Sequence, residues 1–464
     1  MKNFKIKNFL KRQVIEKFII LIGLIVLFYL LISLYFVNHF FLNTVINGVN
    51  VSLKAHDDVD NLFKNYTNEY ELQLIERKDQ TEIIKGKDIG LRYNARNSVT
   101  KIYHKQKSMK WVSSLFKEQK YVVNNLFIYN QSKLKNKVND LNCLNKGIVE
   151  PRNVSFKYSN GSYEMIKEVY GNKVNKDKLI ETLEIAILKG ETECDLDKRF
   201  CYENPKYTLN SDKAIKTKKL LNKYVNANIT YLFGSEKEIV DGNIISRWLI
   251  VDDNLEVAIN EAEAIRYVKV LGNKYDTIGV TRKFKTSTGK IVEVKGGIYG
   301  WKINVAAESK KLLEIITLGE KIEKEPIYAQ KAFSRDEDDI GDTYVEINIT
   351  RQHVWFYKDG KLIIHGSVVT GNPNKGHSTK LGTFMLNYKI KGATLRGPGY
   401  EAEVTYWMPF YGNIGLHDAS WRYSFGGGIY KVRGSHGCVN APINLAKTIF
   451  ENIEEGTPII CYEE

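Results

Sequence analysis

A cysteine and a histidine near the C-terminal end of the chain could together transfer an acyl group. Cys438 lies in the run 434–440, which reads Gly-Ser-His-Gly-Cys-Val-Asn, and His417 precedes that run. Acyl transfer through a thiol needs a thiolate, a base that takes and returns a proton near neutral pH, and donors for the oxyanion. A free cysteine has a pKa of about 8.5, so a neighbouring histidine is the usual means of raising its nucleophilic fraction. The pair therefore predicts a cysteine nucleophile and a histidine base.

The run around Cys438 also predicts the rest of a catalytic loop. Gly434 and Gly437 allow a sharp turn that would aim the amides of Gly437 and Cys438 at one oxygen, so Gly437 is a predicted part of an oxyanion hole. His436 would share a face with Cys438 in an extended chain and could assist it. Zinc is an alternative, because His417, His436 and Cys438 would leave one coordination position open. We predict no metal and no cofactor.

Cysteine and histidine side chains also occur as ordinary core residues. Taken singly, Cys438 could be a buried core cysteine and His417 a core histidine, which is the commoner fate of either residue type. Their joint spacing favours a catalytic role. The remaining cysteines form no CxxC pair and receive no predicted disulfide: Cys143, Cys194, Cys201 and Cys461.

Short strands should position the pair. Alternating apolar residues from Tyr344 to Phe356, on either side of Arg351 and Gln352, predict two strands, and the sequence at 357–361 predicts a second hairpin. Further strand patterns cover 362–364, 367–370, 383–386 and 412–417, and one helix is expected around 443–453. A compact, mostly β catalytic domain is therefore predicted after a boundary near residue 340.

The same stretch resembles the L,D-transpeptidase (YkuD-type) catalytic domain over residues 343–464. The resemblance is carried by His417, by the run 435–440 and by the sequence Tyr-Trp-Met-Pro-Phe at 406–410. It implies that Cys438 attacks the third residue of a peptidoglycan tetrapeptide stem and expels the terminal D-alanine. Attack on the thioester by an amine of a second stem would form a 3→3 cross-link, whereas water would give L,D-carboxypeptidase activity.

The resemblance also implies supporting and substrate-binding residues. Ser435 and Asn440 would support the catalytic loop, and four residues stand where a stem carboxylate and an aromatic wall would be useful: Arg422, Arg433, Trp407 and Tyr406. The chain departs from the commoner family pattern at 379–382, where it reads Thr-Lys-Leu-Gly rather than Thr-Pro-x-Gly. It also carries Asp418 directly after His417, and the side chain of a neighbouring strand residue should point away from the imidazole.

The N-terminal segment predicts a membrane anchor. A basic tail at 1–17 precedes an apolar run at 18–37 that is long enough to cross about 30 Å of hydrocarbon as a helix. Basic residues favour the cytoplasmic side, so the chain beyond residue 38 should face the cell wall. A cleaved signal peptide is the alternative, but residues 38–42 offer no cleavage site of small residues. The net charge of +14 then suits an anionic envelope polymer, and nucleic acid is not an expected partner.

An internal repeat occupies the region between anchor and catalytic domain. Residues 169–175 (VYGNKVN) resemble 298–304 (IYGWKIN), and a Gly-Glu pair follows each at the same interval. The predicted fold is α+β: one transmembrane helix, two α+β repeat modules at 43–205 and 206–330, and a β-rich catalytic domain at 343–464. The modules resemble the peptidoglycan-binding repeats of anchored Gram-positive family members. A catalytically silent wall-binding scaffold and a sortase-like enzyme are the remaining alternatives.

Overall fold

The computed structural model describes residues 2–94, 99–335, 338–397 and 399–464. The chain forms two compact units, the first made of Met1–Ser155 with Met165–Ala214 and the second of Phe156–Glu164 with Ile215–Glu464. The helices among these residues are α1 Lys2–Tyr35, α2 His56–Glu69, α3 Gly86–Ile89, α4 Thr100–Lys105, α5 Gln131–Asn139, α6 Asn142–Asn145, α7 Lys176–Lys189, α8 Asp212–Val225, α9 Gly242–Ile245, α10 Glu261–Tyr275, α11 Val305–Leu318, α12 Ile429–Arg433 and α13 Ile443–Asn452. Short 3-10 helices cover Arg77–Asp79, Ser108–Leu115 and Pro373–Lys375.

The strands of the first half are β1 Thr44–Ile46, β2 Val49–Asn50, β3 Glu71–Ile75, β4 Thr81–Lys85, β5 Arg92–Tyr93, β6 Gln119–Tyr121, β7 Phe127–Ile128, β8 Ser155–Ser159, β9 Ser162–Ile166, β10 Glu193–Asp195, β11 Asn228–Phe233, β12 Glu236–Val240, β13 Leu249–Val251 and β14 Val257–Ile259. Those of the second half are β15 Arg282–Lys285, β16 Ile291–Val294, β17 Lys302–Ile303, β18 Lys321–Lys324, β19 Tyr328–Gln330, β20 Tyr344–Asn348, β21 His353–Lys358, β22 Lys361–Ser367, β23 Gly382–Met385, β24 Ile390–Gly397, β25 Tyr400–Tyr411, β26 Ile414–Asp418, β27 Val439–Ala441 and β28 Pro458–Tyr462.

Helix α1 contains the apolar run of the N-terminal segment. Its stretch Phe9–Tyr35 is long and apolar enough to cross a membrane, and little of it is buried within the protein. A helix of this length extends about 40 Å, more than the hydrocarbon thickness of a bilayer. By length and composition it is a candidate membrane span, and a signal sequence satisfies the same criteria.

The predicted repeat is confirmed by matching topology in the two halves. In the first unit β3 pairs antiparallel with β4 and parallel with β10. In the second unit β11 pairs antiparallel with β12 and parallel with β18. Each parallel connection is completed by a helix, α7 in the first case and α11 in the second. The two modules are therefore copies of one α+β unit.

The repeated sequence motif is a helix start. Its last residue is the N-cap in both copies, because the side chain of Asn175 accepts a hydrogen bond from the Lys178 amide and that of Asn304 from the Ala307 amide. The glycines that follow at equal intervals, Gly190 and Gly319, end α7 and α11 in the left-handed conformation, at φ of 69° and 73°. Selection for the two ends of a helix explains the likeness of the copies.

The C-terminal region is rich in strands, as the alternating pattern predicted, and the strands form two sheets. One has the strand order β22-β21-β20-β28-β23 and the other β24-β25-β26-β27. The predicted second hairpin is confirmed, with Asp359 and Gly360 at φ of 48° and 71° as a two-residue hairpin turn requires. Helix α13 packs Leu445, Ala446 and Ile449 into the core that the two sheets share.

The second repeat and the C-terminal sheets, on the two sides of the boundary predicted near residue 340, belong to one compact unit. The β15–β16 hairpin contributes Phe284 to a core shared with Ile460 of β28. Beside this core, the fully buried carboxylate of Glu346 accepts hydrogen bonds from the Ser287 amide (3.0 Å) and the Tyr462 hydroxyl (2.5 Å). Buried carboxylates are stabilised by such donors, so this contact fixes the repeat against the sheet.

Candidate active site

Two parallel strands bring the predicted pair together. Strand β26 pairs with β27 so that His417 lies opposite Asn440 and Leu416 opposite Val439. Alternate residues of a strand share a face, so the side chains of His417, Asn440 and Cys438 project to the same side of the sheet. Residues far apart in sequence thus meet because the sheet register aligns them.

A glycine makes room for the aromatic ring behind this face. A Cβ atom at Gly415 would lie 2.7 Å from the ring of Trp407, which is buried and packs beside His417 with 5.8 Å between ring centroids. Contacts of 2.7 Å are too short for carbon atoms, so a larger residue at 415 would displace the ring. Trp407 therefore supports the imidazole from within the fold.

The imidazole of His417 is held by a main-chain group. Its Nδ1 lies 2.8 Å from the carbonyl oxygen of Asp418, and only 3% of the residue is exposed. A carbonyl can only accept, so Nδ1 carries the proton and Nε2 is left as a base. Burial lowers the pKa of His417, the positive charge of Arg422 lowers it further, and the Asp418 contact opposes both effects. These effects together favour the neutral imidazole.

The carboxylate of Asp418 points away from this histidine, as predicted for its strand position. Its Oδ1 accepts hydrogen bonds from the amides of Thr405 (2.8 Å) and Tyr406 (2.7 Å) on β25. The side chain of Asp418 thus joins two strands. The sequence could not reveal the orienting carbonyl of the same residue, because every residue has one.

Cys438 lies at the edge of the same cavity and is half-buried. Its Sγ lies 3.6 Å from the carbonyl oxygen of Asn413. Burial raises the pKa of the thiol to about 11, although a hydrogen bond from the Gly415 backbone acts in the opposite direction. These two shifts favour a neutral thiol beside a neutral imidazole.

Two hydroxyl groups hold the catalytic loop. Ser435 Oγ donates to the Cys438 carbonyl (2.5 Å) and accepts from the Gly437 amide (3.1 Å). Thr379 Oγ1 donates to the Gly437 carbonyl (2.7 Å) and accepts from the Gly371 amide (3.0 Å). In the sequence, Thr379 is only the first residue of the run 379–382, which departs from the family turn at Lys380, and its bridging hydroxyl is apparent only in the structure.

The predicted oxyanion hole needs a correction. The Gly437 amide already donates to Ser435 Oγ at 3.1 Å, so it is not available to a substrate oxygen in this arrangement. Gly437 instead serves the turn, with a φ of 126° that favours glycine. The Cys438 amide is the donor of the predicted pair that can still face an oxyanion.

His436 lies at the exposed rim of the site. Its ring lies 4.7 Å from that of His377, centroid to centroid. Burial, His377 and the positive charge of Lys375 lower the pKa of His436, in that order of importance. A neutral imidazole at the rim can accept or donate a hydrogen bond without adding charge to the cavity.

A cavity of about 510 Å³ joins these residues to the β24–β25 hairpin. The Oδ1 atom of Asn440 is buried in its wall without a hydrogen-bond partner among the described residues. An unpaired buried amide oxygen is costly, and a bound peptide could satisfy it. The cavity is lined by Leu395, Glu401, Ala402, Glu403, His417, Trp421, Arg422, Gly434, Ser435, His436, Cys438 and Asn440.

The predicted substrate-binding residues occupy different places. Arg422 lines the cavity, and its Nη1 donates to the Arg433 carbonyl at 2.8 Å. Arg433 faces a neighbouring cavity rather than this one. Tyr406 lies in the hydrophobic core beside Phe450, with 5.2 Å between ring centroids, so its ring does not reach the cavity.

The exposed aromatic wall is Trp421, which sequence reasoning missed. Its ring lies 6.0 Å from that of His417, and 45% of the residue is exposed, against 7% for Trp407. The feature of the sequence that could have revealed Trp421 is its position four residues after His417. Glu401 and Glu403 were also missed, because nothing in the sequence aligned the hairpin with the catalytic strand.

Two protein families match parts of the chain. Residues 342–461 match the family described as "L,D-transpeptidase catalytic domain", and residues 84–195 and 207–323 match the family described as "Putative peptidoglycan binding domain". No curated protein matches the chain.

Several solved structures are similar to it. A crystal structure of a cysteine-to-serine mutant of the Enterococcus faecium L,D-transpeptidase is 33% identical, covers 54% of this chain and 100% of its own, and has a TM-score of 0.45. The avibactam carbamoyl form of Ldtfm is 34% identical, covers 54% of this chain and 99% of its own, and has a TM-score of 0.46. The E. faecium catalytic domain acylated by ertapenem is 40% identical, covers 26% of this chain and 97% of its own, and has a TM-score of 0.24. Since this level of identity extends over the whole of the first relative, the chain belongs to the L,D-transpeptidase family.

Proposed function

We propose that this chain forms 3→3 cross-links in peptidoglycan through a thioester on Cys438. The observation that carries the proposal is the alignment of Cys438 and His417 on one sheet face that lines a cavity with both positive and negative side chains. The donor is the tetrapeptide stem, and its third residue provides the carbonyl that is attacked. Peptidoglycan is the partner that the matched domains support.

The chemistry begins from neutral groups. His417 Nε2 removes the thiol proton as Cys438 Sγ attacks the carbonyl carbon, and the protonated imidazole then gives that proton to the departing amine of D-alanine. The C–N bond breaks and a thioester remains. An acceptor amine then attacks the thioester, loses a proton to His417 and returns the thiol, so the enzyme is regenerated.

Stabilisation of the oxyanion is assigned to the Cys438 amide. Ser435 holds the loop geometry, and the unpaired Oδ1 of Asn440 can accept a hydrogen bond from a backbone amide of the stem. Donors fixed before the reaction stabilise developing charge without reorganisation. His436 supports the substrate from the rim.

The charges in the cavity suit two different stems. Arg422 at one side can bind a carboxylate of the donor, whereas Glu403 on the β24–β25 hairpin can attract the ammonium group of the acceptor. Glu401 on the same hairpin is already paired with Arg396. Trp421 gives an apolar surface between them. This separation favours amine acceptors over water, which is the basis for preferring transpeptidase to L,D-carboxypeptidase activity.

The location of the reaction follows from the N-terminal segment. Helix α1 would anchor the chain in the cytoplasmic membrane with its basic end inside, and the rest would face the cell wall. The modules at 43–205 and 206–330 would bind peptidoglycan and the domain at 343–464 would act on it. A catalytically silent scaffold would share this location but would not need the His417–Cys438 alignment.

Two of the similar structures are of acylated or carbamoylated enzymes. Ertapenem acylates the E. faecium catalytic domain and avibactam carbamoylates Ldtfm. We extend these reactions to the present chain, with Cys438 as the modified residue. Intact-mass measurement with ertapenem should show one adduct on the wild type and none on Cys438→Ala.

The decisive assay uses the detergent-solubilised full chain with disaccharide-tetrapeptide. Mass spectrometry should detect released D-alanine and a cross-linked dimer with the wild type, and neither product with Cys438→Ala. Cys438→Ser is the matched control, since its hydroxyl has a similar size but is a weaker nucleophile. Equal D-alanine release from wild type and Cys438→Ala would refute the thioester, and release without dimer would identify a carboxypeptidase.

A further inference from the structure

A short 3-10 helix in the first unit has a regular exposed apolar edge. In Ser108–Leu115 the residues at 109, 112 and 115 are Met, Val and Leu, with 52%, 40% and 44% of their surfaces exposed. Side chains three residues apart eclipse one another in a 3-10 helix, so these three form a single stripe. Phe116, 86% exposed, extends it.

The opposite edge of this helix faces the protein. Ser114 is fully buried, and its backbone carbonyl accepts a hydrogen bond from Asn43 Nδ2 at 2.9 Å. The ring of Trp111, one turn earlier, stacks on Phe36 with 6.0 Å between centroids. The exposed stripe is therefore held outward by a packed inner edge.

The stripe lies beside the outer end of α1. Trp111 contacts Tyr29 of α1 at 5.9 Å between ring centroids as well as Phe36, and the Tyr29 hydroxyl donates to the Met109 carbonyl. Tyr29 and Phe36 are separated by about 10 Å along a helix. The 3-10 helix thus runs alongside the last two turns of the apolar span, at a depth where a membrane-crossing α1 would be surrounded by lipid.

We propose that Ser108–Leu115 together with Phe116 inserts its apolar stripe into the outer leaflet of the membrane that α1 crosses. The inference rests on the proposed anchoring by α1. Aromatic residues at the membrane boundary and lysines with long side chains are typical of interfacial segments. The exposed lysines beside the stripe fit this place, since their amines can reach lipid phosphates: Lys105, Lys107, Lys110 and Lys117.

The stripe therefore contacts a lipid surface that contains anionic headgroups. A protein partner would have to approach within the thickness of the bilayer, where α1 already emerges. Attachment at two points, a crossing helix and an interfacial helix, would fix the orientation of the first unit at the membrane. A single helix would leave that unit free to swivel.

The test uses tryptophan quenching in the full chain, reconstituted into phosphatidylcholine–phosphatidylglycerol vesicles with brominated acyl chains. The first unit contains Trp111 as its tryptophan, so the difference between wild type and Trp111→Phe isolates its signal. Bromines near the headgroups should quench this signal more than bromines near the bilayer centre. Equal quenching of wild type and Trp111→Phe, in vesicles that carry the protein, would overturn the proposal.

Paired variants test the stripe itself. Val112→Asp with Leu115→Asp places charges in the apolar surface and should reduce quenching of Trp111 about twofold or more, because burying a charge in lipid is costly. Ser113→Asp, on an exposed neighbouring position, should not. Flotation of the vesicles reports α1 separately. If flotation persists and the double variant is quenched like the wild type, the stripe is not inserted; if the wild type does not float, the anchor fails and the proposal with it.

Discussion

The Nδ1 atom of His417 lies 2.8 Å from the main-chain carbonyl oxygen of Asp418, while the Asp418 carboxylate faces the opposite strand. The imidazole of the proposed Cys438–His417 pair is therefore oriented by the backbone rather than by a third acidic side chain. The proton on Nδ1 fixes the tautomer, and Nε2 is the atom that can act on Cys438.

Asp418→Asn should retain most activity, because the orienting carbonyl is unchanged and the amide oxygen can still accept from the Thr405 and Tyr406 amides. We expect kcat to fall by less than about tenfold, with a lower melting temperature from loss of the charged acceptor. His417→Gln is the matched control and should be inactive. A folded Asp418→Asn variant as inactive as His417→Gln would show that the carboxylate takes part.

The acid limb of the pH profile of kcat/KM should have its midpoint below pH 6.5, the ordinary pKa of histidine, because burial lowers the pKa of His417. A lowered pKa means that the imidazole loses its proton at lower pH and remains a base into more acidic solution. Arg422→Gln removes a positive charge that contributes to this shift, so its limb should move to higher pH. The pH–rate profiles of both proteins with tetrapeptide substrate test this, and a limb above 6.5 in the wild type would contradict it.

Alkylation of free Cys438 by iodoacetamide should be slow at neutral pH and should accelerate up to about pH 11, where burial places the pKa of the thiol. Only the thiolate reacts, so the rate follows its fraction. Peptide mass spectrometry locates the modified residue. The His417→Gln variant should be alkylated at a similar rate. If the wild-type rate is instead constant above pH 7, and falls when His417 is replaced, the resting site holds a thiolate–imidazolium pair.

Thr379→Val should loosen the catalytic loop, because it leaves the Gly437 carbonyl and the Gly371 amide without their hydroxyl partner. The expected cost in free energy of unfolding is about 1–3 kcal/mol, and displacement of the nucleophile should lower kcat about tenfold or more. Thr379→Ser keeps the hydroxyl and should resemble the wild type. Both variants are measured by denaturant unfolding and by turnover. If Thr379→Val and Thr379→Ser behave alike, the hydroxyl does not support the loop.

Glu403→Gln should weaken use of the acceptor stem without slowing acylation by the donor. An exposed charge pair contributes up to about 1 kcal/mol, so the KM for the acceptor should rise about fivefold at most. Glu401→Gln is the matched control, since Glu401 is already paired with Arg396 at 3.0 Å and should matter less. Acylation by ertapenem provides the donor-side readout, and an equal loss in both half-reactions would contradict an acceptor role.

Much of the architecture could be predicted because it depends on local patterns. Alternating apolar residues predicted the hairpins around Gln352 and Gly360, and both were confirmed. The repeat was visible because Asn175 and Asn304 each begin a helix, a role that a side chain must perform. The boundaries 43–205, 206–330 and 343–464 stay predictions.

The sequence by itself determined the residue types of the site, since nucleophilic and basic side chains are chemically distinctive, and it placed Cys438 and His417 in one motif. Only the tertiary structure decided which carbonyl orients His417, that Ser435 engages the Gly437 amide, and that Trp421 rather than Tyr406 reaches the cavity. The physical reason is that main-chain contacts have no side-chain signature, and the exposure of an aromatic ring depends on sheet register and on the packing of distant residues.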